Sequence, residues 1–585
     1  MPTNLPPDTE SFDAIIVGSG FGGSVCAAQL AAAGLDVVVL ERGAPYPPGA
    51  FARTPREMRT NFWDPDAGLH GLFEIWSFAQ VNAIVSAGLG GGSLIYANVL
   101  LEKPPETFAD RVLPDGTLTS WPVDHPALEP HYAAVLDVLR PERLPATEPY
   151  ASIPKATEFA RAARAAGLDV DHPPLAIRFA AAGRTEPGIP LPPDGNLHDR
   201  PRVTCRLLGA CDVGCNEGAK NSLDMTYLTE AKRHGARIRT LCEAVAVHSN
   251  PAPAGGWRVR YVQHAGARAG HRPDLLDPTG EIDRTITAPV VVIAAGALGS
   301  TRLLLGHRAA LPGLSPQLGR RFSTNGDMIT FARDCRTTPG GRGPRRDLSP
   351  SLGPVITTSA RGSVDGHDVW LQDAGGPDFS EWGWQAPEVP GDLLGLLRRM
   401  LLRRAAESIG GTRRRTRVSA DVAAAFGTAG SSAAMLPLLS MGIDVPGGRL
   451  SLDGDVLNLD WDPHGDSRGY FDAAEATARA TAAQLGGHLA PRFGLARARA
   501  MTVHPLGGCP MGRDRDHGVV DDHGEVFSAD GLHRGLFVAD GSVMPGPVGP
   551  NPSLTIAAVA HRFSARMIER ASTGPRDAST GPRDG

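Results

Sequence analysis

The stretch Val17-Gly18-Ser19-Gly20-Phe21-Gly22-Gly23 decides how this chain folds. It follows Ala14-Ile15-Ile16-Val17, an apolar run of the kind that forms a buried parallel strand. It leads into an alanine-rich stretch, residues 24–33, that predicts a helix. Gly18, Gly20 and Gly23 stand at G-x-G-x-x-G spacing, with Phe21 and Gly22 between them. Gly18 permits a tight turn, Gly20 lets the backbone approach a pyrophosphate, and Gly23 lets helix and strand pack closely. The helix N-terminus offers free N–H groups and partial positive charge to phosphates. Gly34 ends the helix, Val37-Val38-Val39-Leu40 predicts the second strand, and Glu41 stands at its end. That carboxylate suits ribose hydroxyls and repels a 2′-phosphate. The glycine motif alone is weak; strand, helix, strand and acid in register make it a dinucleotide site.

Two further elements bear on which dinucleotide is bound. Gly88-Leu89-Gly90-Gly91-Gly92-Ser93 precedes the segment ending at Asn98, and Val290-Val291-Val292-Ile293 runs into Ala294-Ala295-Gly296. Each alone also reads as a structural turn. Adjacent glycines also let backbone pass close to something flat or anionic. Three such elements in one chain favour an extended cofactor, FAD, held along its length.

These residues resemble the glucose–methanol–choline (GMC) flavoprotein oxidoreductases, and within them the cholesterol oxidase-like branch. The resemblance is carried from about residue 12 to 570 by GSGFGGS (18–24), GLGGGSLIYANV (88–99), GCNEGAKNS (214–222), VVIAAGALGS (291–300), HPLGGCPMG (504–512), VADGSVMPG (538–546) and GPNPSLTIAA (549–558). It implies an α/β FAD-binding Rossmann-like domain interleaved with an α+β substrate domain whose antiparallel sheet roofs the flavin. It further implies that Gly88, Gly91, Gly92 and Ser93 line the cofactor, and that Asp540 and Gly541 approach its ribityl-pyrophosphate. Backbone near Val245 meets the adenine, Asn98 lies beside the isoalloxazine, and His504 and Asn551 match the active-site pair. With no histidine in 88–99, the flavin is expected to be non-covalent.

The residues themselves support this chemistry. Alcohol oxidation removes a hydroxyl proton and a carbinol hydride, and the flavin takes the hydride. A positioned base is worth ~10²–10⁴-fold, and imidazole titrates near neutrality. His504 sits in a Pro505/Gly507-Gly508 frame, and Asn551 lies between Pro550 and Pro552. A plain structural histidine is the bland reading of the first. A helix cap ahead of Ser553 is the bland reading of the second, and it is compatible with a catalytic role. The resemblance implies that, in the strand Val369-Trp370-Leu371-Gln372-Asp373, Gln372 stands where steroid-oxidising relatives carry a glutamate. An amide is no base, and the neighbouring Asp373 points to the opposite face of a strand. Double-bond migration is therefore disfavoured.

Composition sets outer limits. The 585 residues are 42% hydrophobic with net charge −5, which leaves no nucleic-acid footprint. Arginines number 54 against four lysines. Seven cysteines include a Cys205/Cys211/Cys215 cluster that lacks a fourth metal ligand at matching spacing, so no metal is expected. The odd count and the absence of a leader-like N-terminus or an apolar span predict a cytoplasmic protein.

The expected organisation is an FAD domain from 12–105, 200–325 and 496–570, a substrate domain from 106–199 and 326–495, and a disordered tail from 571–585. Residues 393–404, basic and leucine-rich, read as a lid helix or as a transient membrane-surface contact for lipidic substrate. The sequence thus predicts FAD-dependent oxidation of a small but bulky apolar secondary alcohol, steroid-like or polyketide/terpenoid, with an unspecified acceptor, oxygen among the candidates. The rival readings are a flavin-dependent desaturase or isomerase, a redox-inactive flavin-binding protein and, more distantly, a nicotinamide dehydrogenase.

Overall fold

The computed structural model describes residues 10–113, 116, 118–251, 255–264, 281–338, 342–377, 435–463, 465–490 and 500–573. The 393–404 segment lies outside the described residues, as does the tail from 574 onward.

The apolar runs become a six-stranded sheet in the order Arg237–Arg239, Val37–Leu40, Ala14–Val17, Val290–Ile293, Gly531–Val538, Glu525–Ser528. All neighbours are parallel except the last pair. All residues of Ala14–Val17, Val37–Leu40 and Val290–Ile293 are buried. Burial on both faces explains why these strands read as unbroken apolar runs. Each fully buried Val or Ile contributes roughly 1.5–3 kcal/mol.

Helix Phe21–Ala32 starts three residues earlier than the sequence suggests, with Gly20 as its N-cap. Helix Ser553–Thr573 packs against it. The latter includes Ala571–Thr573, which the sequence had assigned to the tail. An antiparallel meander, Cys242–Ser249, Trp257–His264 and Glu281–Ala288, adjoins this unit.

A second six-stranded sheet is antiparallel throughout: Asp169–Asp171, Ser359–Val364, His367–Asp373, Leu436–Gly442, Met328–Arg333, His488–Leu489. Val369, Leu371 and Leu438 share a core with helix Arg468–Gln484, whereas Trp370, Leu439 and Met441 join a different cluster. Gln372 sits opposite Leu439 and Trp370 opposite Met441, so these four side chains occupy one face. Helix His125–Leu139 falls within the segment assigned from sequence to the substrate side. It nevertheless buries Leu128, Tyr132, Val135 and Leu139 in the core of the parallel sheet, because it lies along helix Ser553–Thr573. Among the described residues, no helix is long and apolar enough to cross a membrane.

Candidate active site

The glycine turn is built by close contact. Gly18 has φ +98°, and a Cβ there would lie 2.3 Å from the Ala294 carbonyl oxygen. A Cβ on Gly22 would meet the Ala539 oxygen at 1.6 Å, and one on Gly23 the Gly18 oxygen at 2.1 Å. Gly91, with φ +54°, presses against Gly20, a Cβ meeting its Cα at 2.5 Å, so the two glycine-rich segments touch. Gly20 and Gly92, by contrast, present open sides with nothing within 4 Å. Gly88 packs beneath them against Leu72, Leu94 and Tyr46. Glu41 accepts from Ser19 N and Oγ at 3.1 and 2.6 Å and from Gly43 N at 2.8 Å. Burial pushes its carboxyl up, opposed by these donors. Ser19 Oγ also receives Gly90 N at 3.0 Å, and Ser93 Oγ bridges Gly90 O and Leu223 N.

Several of these groups suit a cofactor. Asn98, at φ +70°, is fully buried with both amide atoms unbonded. Such an orphaned amide is costly unless a ligand satisfies it. Val245 falls in a register shift between Ala244 and Ala246, outside the ladder pairing. Asp540 accepts from Ser542 N at 2.8 Å, Gly296 N at 2.9 Å and Ser300 Oγ at 2.5 Å, and burial raises its carboxyl. It ties the second strand-turn-helix element to Gly541. The open glycine sides, the orphaned Asn98 amide and the bulge at Val245 fit a dinucleotide with a hydrogen-bonding ring system.

The imidazole segment reaches this cradle through backbone pairing: Gly507 N to Gly541 O, Cys509 N to Ser542 O and Met511 N to Val543 O, at 2.9, 2.9 and 2.8 Å. Gly507 and Gly508 make room for Arg321 O and for Thr301. His504, 16% exposed at its side chain, places Nδ1 2.8 Å from Oδ1 of the fully buried Asp327. The other carboxylate oxygen accepts from Thr502 Oγ1, Val503 N and His504 N at 2.9, 2.9 and 3.1 Å. A carboxylate so surrounded acts as acceptor; Nδ1 carries the proton and Nε2 offers a lone pair.

Gln372 and Asn551 meet. Gln372 Nε2 donates to Asn551 Oδ1 at 2.9 Å and lies 3.3 Å from Ser359 Oγ, while its Oε1 is buried without a partner. Asn551 therefore turns its N–H₂ away from Gln372, free to donate. Asp373 faces the other way and accepts from Thr357 N and Oγ1 and Thr358 N at 2.9, 2.6 and 2.7 Å, with Lys155 Nζ at 3.5 Å.

Sequence reasoning missed Asn325 and Asp327, which stand where the expected 200–325 segment gives way to 326–495. It also missed the role of the lysines. Three of the four are buried. Lys103 Nζ bonds Pro547 O, Lys155 bonds Pro354 O and Val355 O, and Lys220 bonds Leu94 O, Tyr96 O and Cys211 O. Their scarcity beside 54 arginines was the available signal. Cys205, Cys211 and Cys215 are free thiols, and burial pushes the first two up.

A dinucleotide cradle, an antiparallel sheet carrying Gln372 and an imidazole backed by a carboxylate define a flavin-type oxidoreductase of alcohols. Comparison with known proteins agrees. Residues 16–80 match an NAD(P)-binding Rossmann-like domain, and 195–324 and 454–560 each match GMC oxidoreductase. The chain is 28% identical to a cholesterol oxidase of Mycobacterium tuberculosis over 98% of its own length and 93% of the relative's. It is 24% identical to a long-chain-alcohol oxidase of Arabidopsis thaliana, covering 95% of this chain and 67% of the other. The crystal structure of pyridoxine 4-oxidase from Mesorbium loti superposes with TM-score 0.56 at 19% identity, covering 96% of this chain and 99% of that one. The chain belongs to the GMC oxidoreductase family, in its cholesterol oxidase-like branch, and is an FAD-dependent oxidoreductase of CH–OH donors.

Proposed function

We propose that the protein oxidises a bulky, apolar secondary alcohol of steroid-like shape, with His504 as the base and Asn551 as the donor to the carbinol oxygen. The observation that carries this reading is His504 Nδ1 on Asp327 at 2.8 Å, which leaves Nε2 as the free lone pair. FAD, held along Gly20, Gly92, Glu41, Asn98 and Asp540, supplies the hydride acceptor when bound. His504 Nε2 takes the hydroxyl proton, and Asp327 steadies the imidazolium that results. Asn551, its oxygen held by Gln372, donates Nδ2–H to the oxygen as negative charge develops there. Trp370, Leu439 and Met441 share Gln372's face and make the protein around it apolar. The names of the cholesterol and long-chain-alcohol oxidase relatives support an apolar alcohol.

Gln372 offers no carboxylate to shuttle a proton, and Asp373 is committed to Thr357, Thr358 and Lys155. The reaction accordingly stops at the ketone. We assign the flavin as dissociable and dioxygen as the acceptor.

The test is anaerobic mixing of the yellow protein with 3β-hydroxysteroids and with aliphatic alcohols, read by loss of flavin absorbance. A steroid bleaches the wild type, and His504→Ala slows bleaching by ~10²–10⁴-fold. Equal rates for the two proteins would remove His504 from the chemistry. Readmitted air restores the colour if dioxygen is the acceptor.

A further inference from the structure

We propose that the turn Asn325-Gly326-Asp327 is one positioning device that registers His504 and Asn551 against each other. The inference rests on the reading of those two residues as the groups facing the substrate hydroxyl.

Asn325 is fully buried at φ +56°, a left-handed conformation that asparagine tolerates. Its Oδ1 accepts from Val548 N and Gly549 N at 2.8 and 3.1 Å. Its Nδ2 lies 3.2 and 3.0 Å from Gly549 O and Pro550 O as donor. The whole amide is spent on the three residues that precede Asn551. Two residues later, Asp327 accepts from His504 Nδ1 and from the backbone that carries His504. One turn therefore holds the frames of both groups, which enter the chain 177 residues and more away.

The turn is itself fixed. Gly326 has φ +67°, and a Cβ would lie 2.5 Å from the Tyr470 ring. Tyr470 Oη donates to Gly326 O at 2.8 Å, and Gly442 N to Asn325 O at 3.0 Å. Asp444 holds Ser323 Oγ and Thr324 N and Oγ1 on the approach.

The residue types are those the contacts demand. The 548–550 turn presents both N–H and C=O groups, which an amide satisfies and a carboxylate does not. The 502–504 segment presents donors only, which a carboxylate satisfies and an amide does not. Exchanging Asn for Asp at 325 sets negative charge against two carbonyl oxygens. Exchanging Asp for Asn at 327 sets N–H₂ against N–H, or frees the imidazole to adopt the wrong tautomer.

The experiment uses the FAD-loaded full chain and the alcohol that bleaches wild type. Asn325→Asp and Asp327→Asn each slow anaerobic bleaching by about 10²-fold with the flavin spectrum and FAD content retained. In a His504→Ala background Asp327→Asn slows it less than about threefold, and in an Asn551→Ala background so does Asn325→Asp, because residues acting as a unit are not additive. Asp327→Asn also moves the acid limb of the kcat/KM profile to lower pH, since the imidazolium loses its counter-charge. Among the described residues, Asp444 and Tyr470 are ionisable groups packed on the turn. Burial holds Asp444 up, and burial with Asp444 and Asp327 holds Tyr470 well above its usual range. Neither is altered in these variants. Thr502→Val removes one donor from the same carboxylate at little change in volume and moves that limb upward, so the pH arm survives if Asp327→Asn fails to fold.

Full slowing in the alanine backgrounds, or an unmoved acid limb in both Asp327→Asn and Thr502→Val, overturns the proposal. If His504→Ala alone bleaches like wild type, the assignment of His504 has failed, while Asn325→Asp against Asn551→Ala still decides the clamp.

Discussion

Gln372 donates its Nε2 to Asn551 Oδ1 across 2.9 Å, joining the second six-stranded sheet to a loop 179 residues further along the chain. Both residues are buried, so the amide–amide bond settles which end of Asn551 is left to donate.

Gln372→Glu replaces that donor with a carboxylate. We expect steroid oxidation to slow by about tenfold, the equivalent of one lost hydrogen bond of ~1–1.5 kcal/mol. A Δ5-3-ketone should then begin to isomerise, visible as growth of a conjugated-enone ultraviolet band that the wild type lacks. A wild type that yields conjugated enone as its product would contradict the role given to the neutral amide.

The cofactor cradle makes a graded prediction. Gly22→Ala brings a Cβ to 1.6 Å from the Ala539 oxygen and cannot be relieved by side-chain motion, so the protein should accumulate colourless or not at all. Asn98→Ala removes only an unbonded buried amide and should fold, with FAD held about tenfold more weakly by fluorescence titration. Acid precipitation of the wild type should leave its flavin in the supernatant. A flavin that stays in the pellet marks a covalent bond.

Lys155 and Asp373 form an ion pair at 3.5 Å with neither side chain exposed. Lys155→Met strands a buried carboxylate and should cost about 3–5 kcal/mol, lowering Tm markedly. Lys155→Met with Asp373→Leu should recover much of that loss. A single Lys155→Met variant as stable as wild type would show that Thr357 and Thr358 alone satisfy Asp373.

His131 and His561 face each other with Nδ1 atoms 2.8 Å apart, between helices His125–Leu139 and Ser553–Thr573. Burial, then His561 and Arg562, push His131 down to about 4, and burial lowers His561 as well. A histidine lowered in the folded state contributes stability that is complete above its unfolded value near ~6.5 and is lost as pH falls toward about 4. Wild-type Tm should therefore decline between pH 6.5 and pH 4, and His131→Phe should flatten that decline. Parallel curves for the two proteins would exclude the pair as its source.

The parallel sheet was legible because its signals are local. Four-residue apolar runs between glycine punctuation need no knowledge of distant chain, and the strand period of two was enough to set Gln372 and Asp373 on opposite faces. Helix His125–Leu139 was not placed, because an amphipathic stripe says that a face is buried but not against which core. Asn325 and Asp327 were invisible for the same reason, since their partners lie 177 to 225 residues away.

The sequence by itself therefore determined a dinucleotide cradle, its family and the residue types available for chemistry, since glycine spacing, strand runs and proline frames act through neighbouring backbone. Only the tertiary structure decided what each polar side chain does. Buried amides and carboxylates must find partners wherever the fold brings them, and that search joined Asp327 to His504 and left the Asn98 amide without a protein partner.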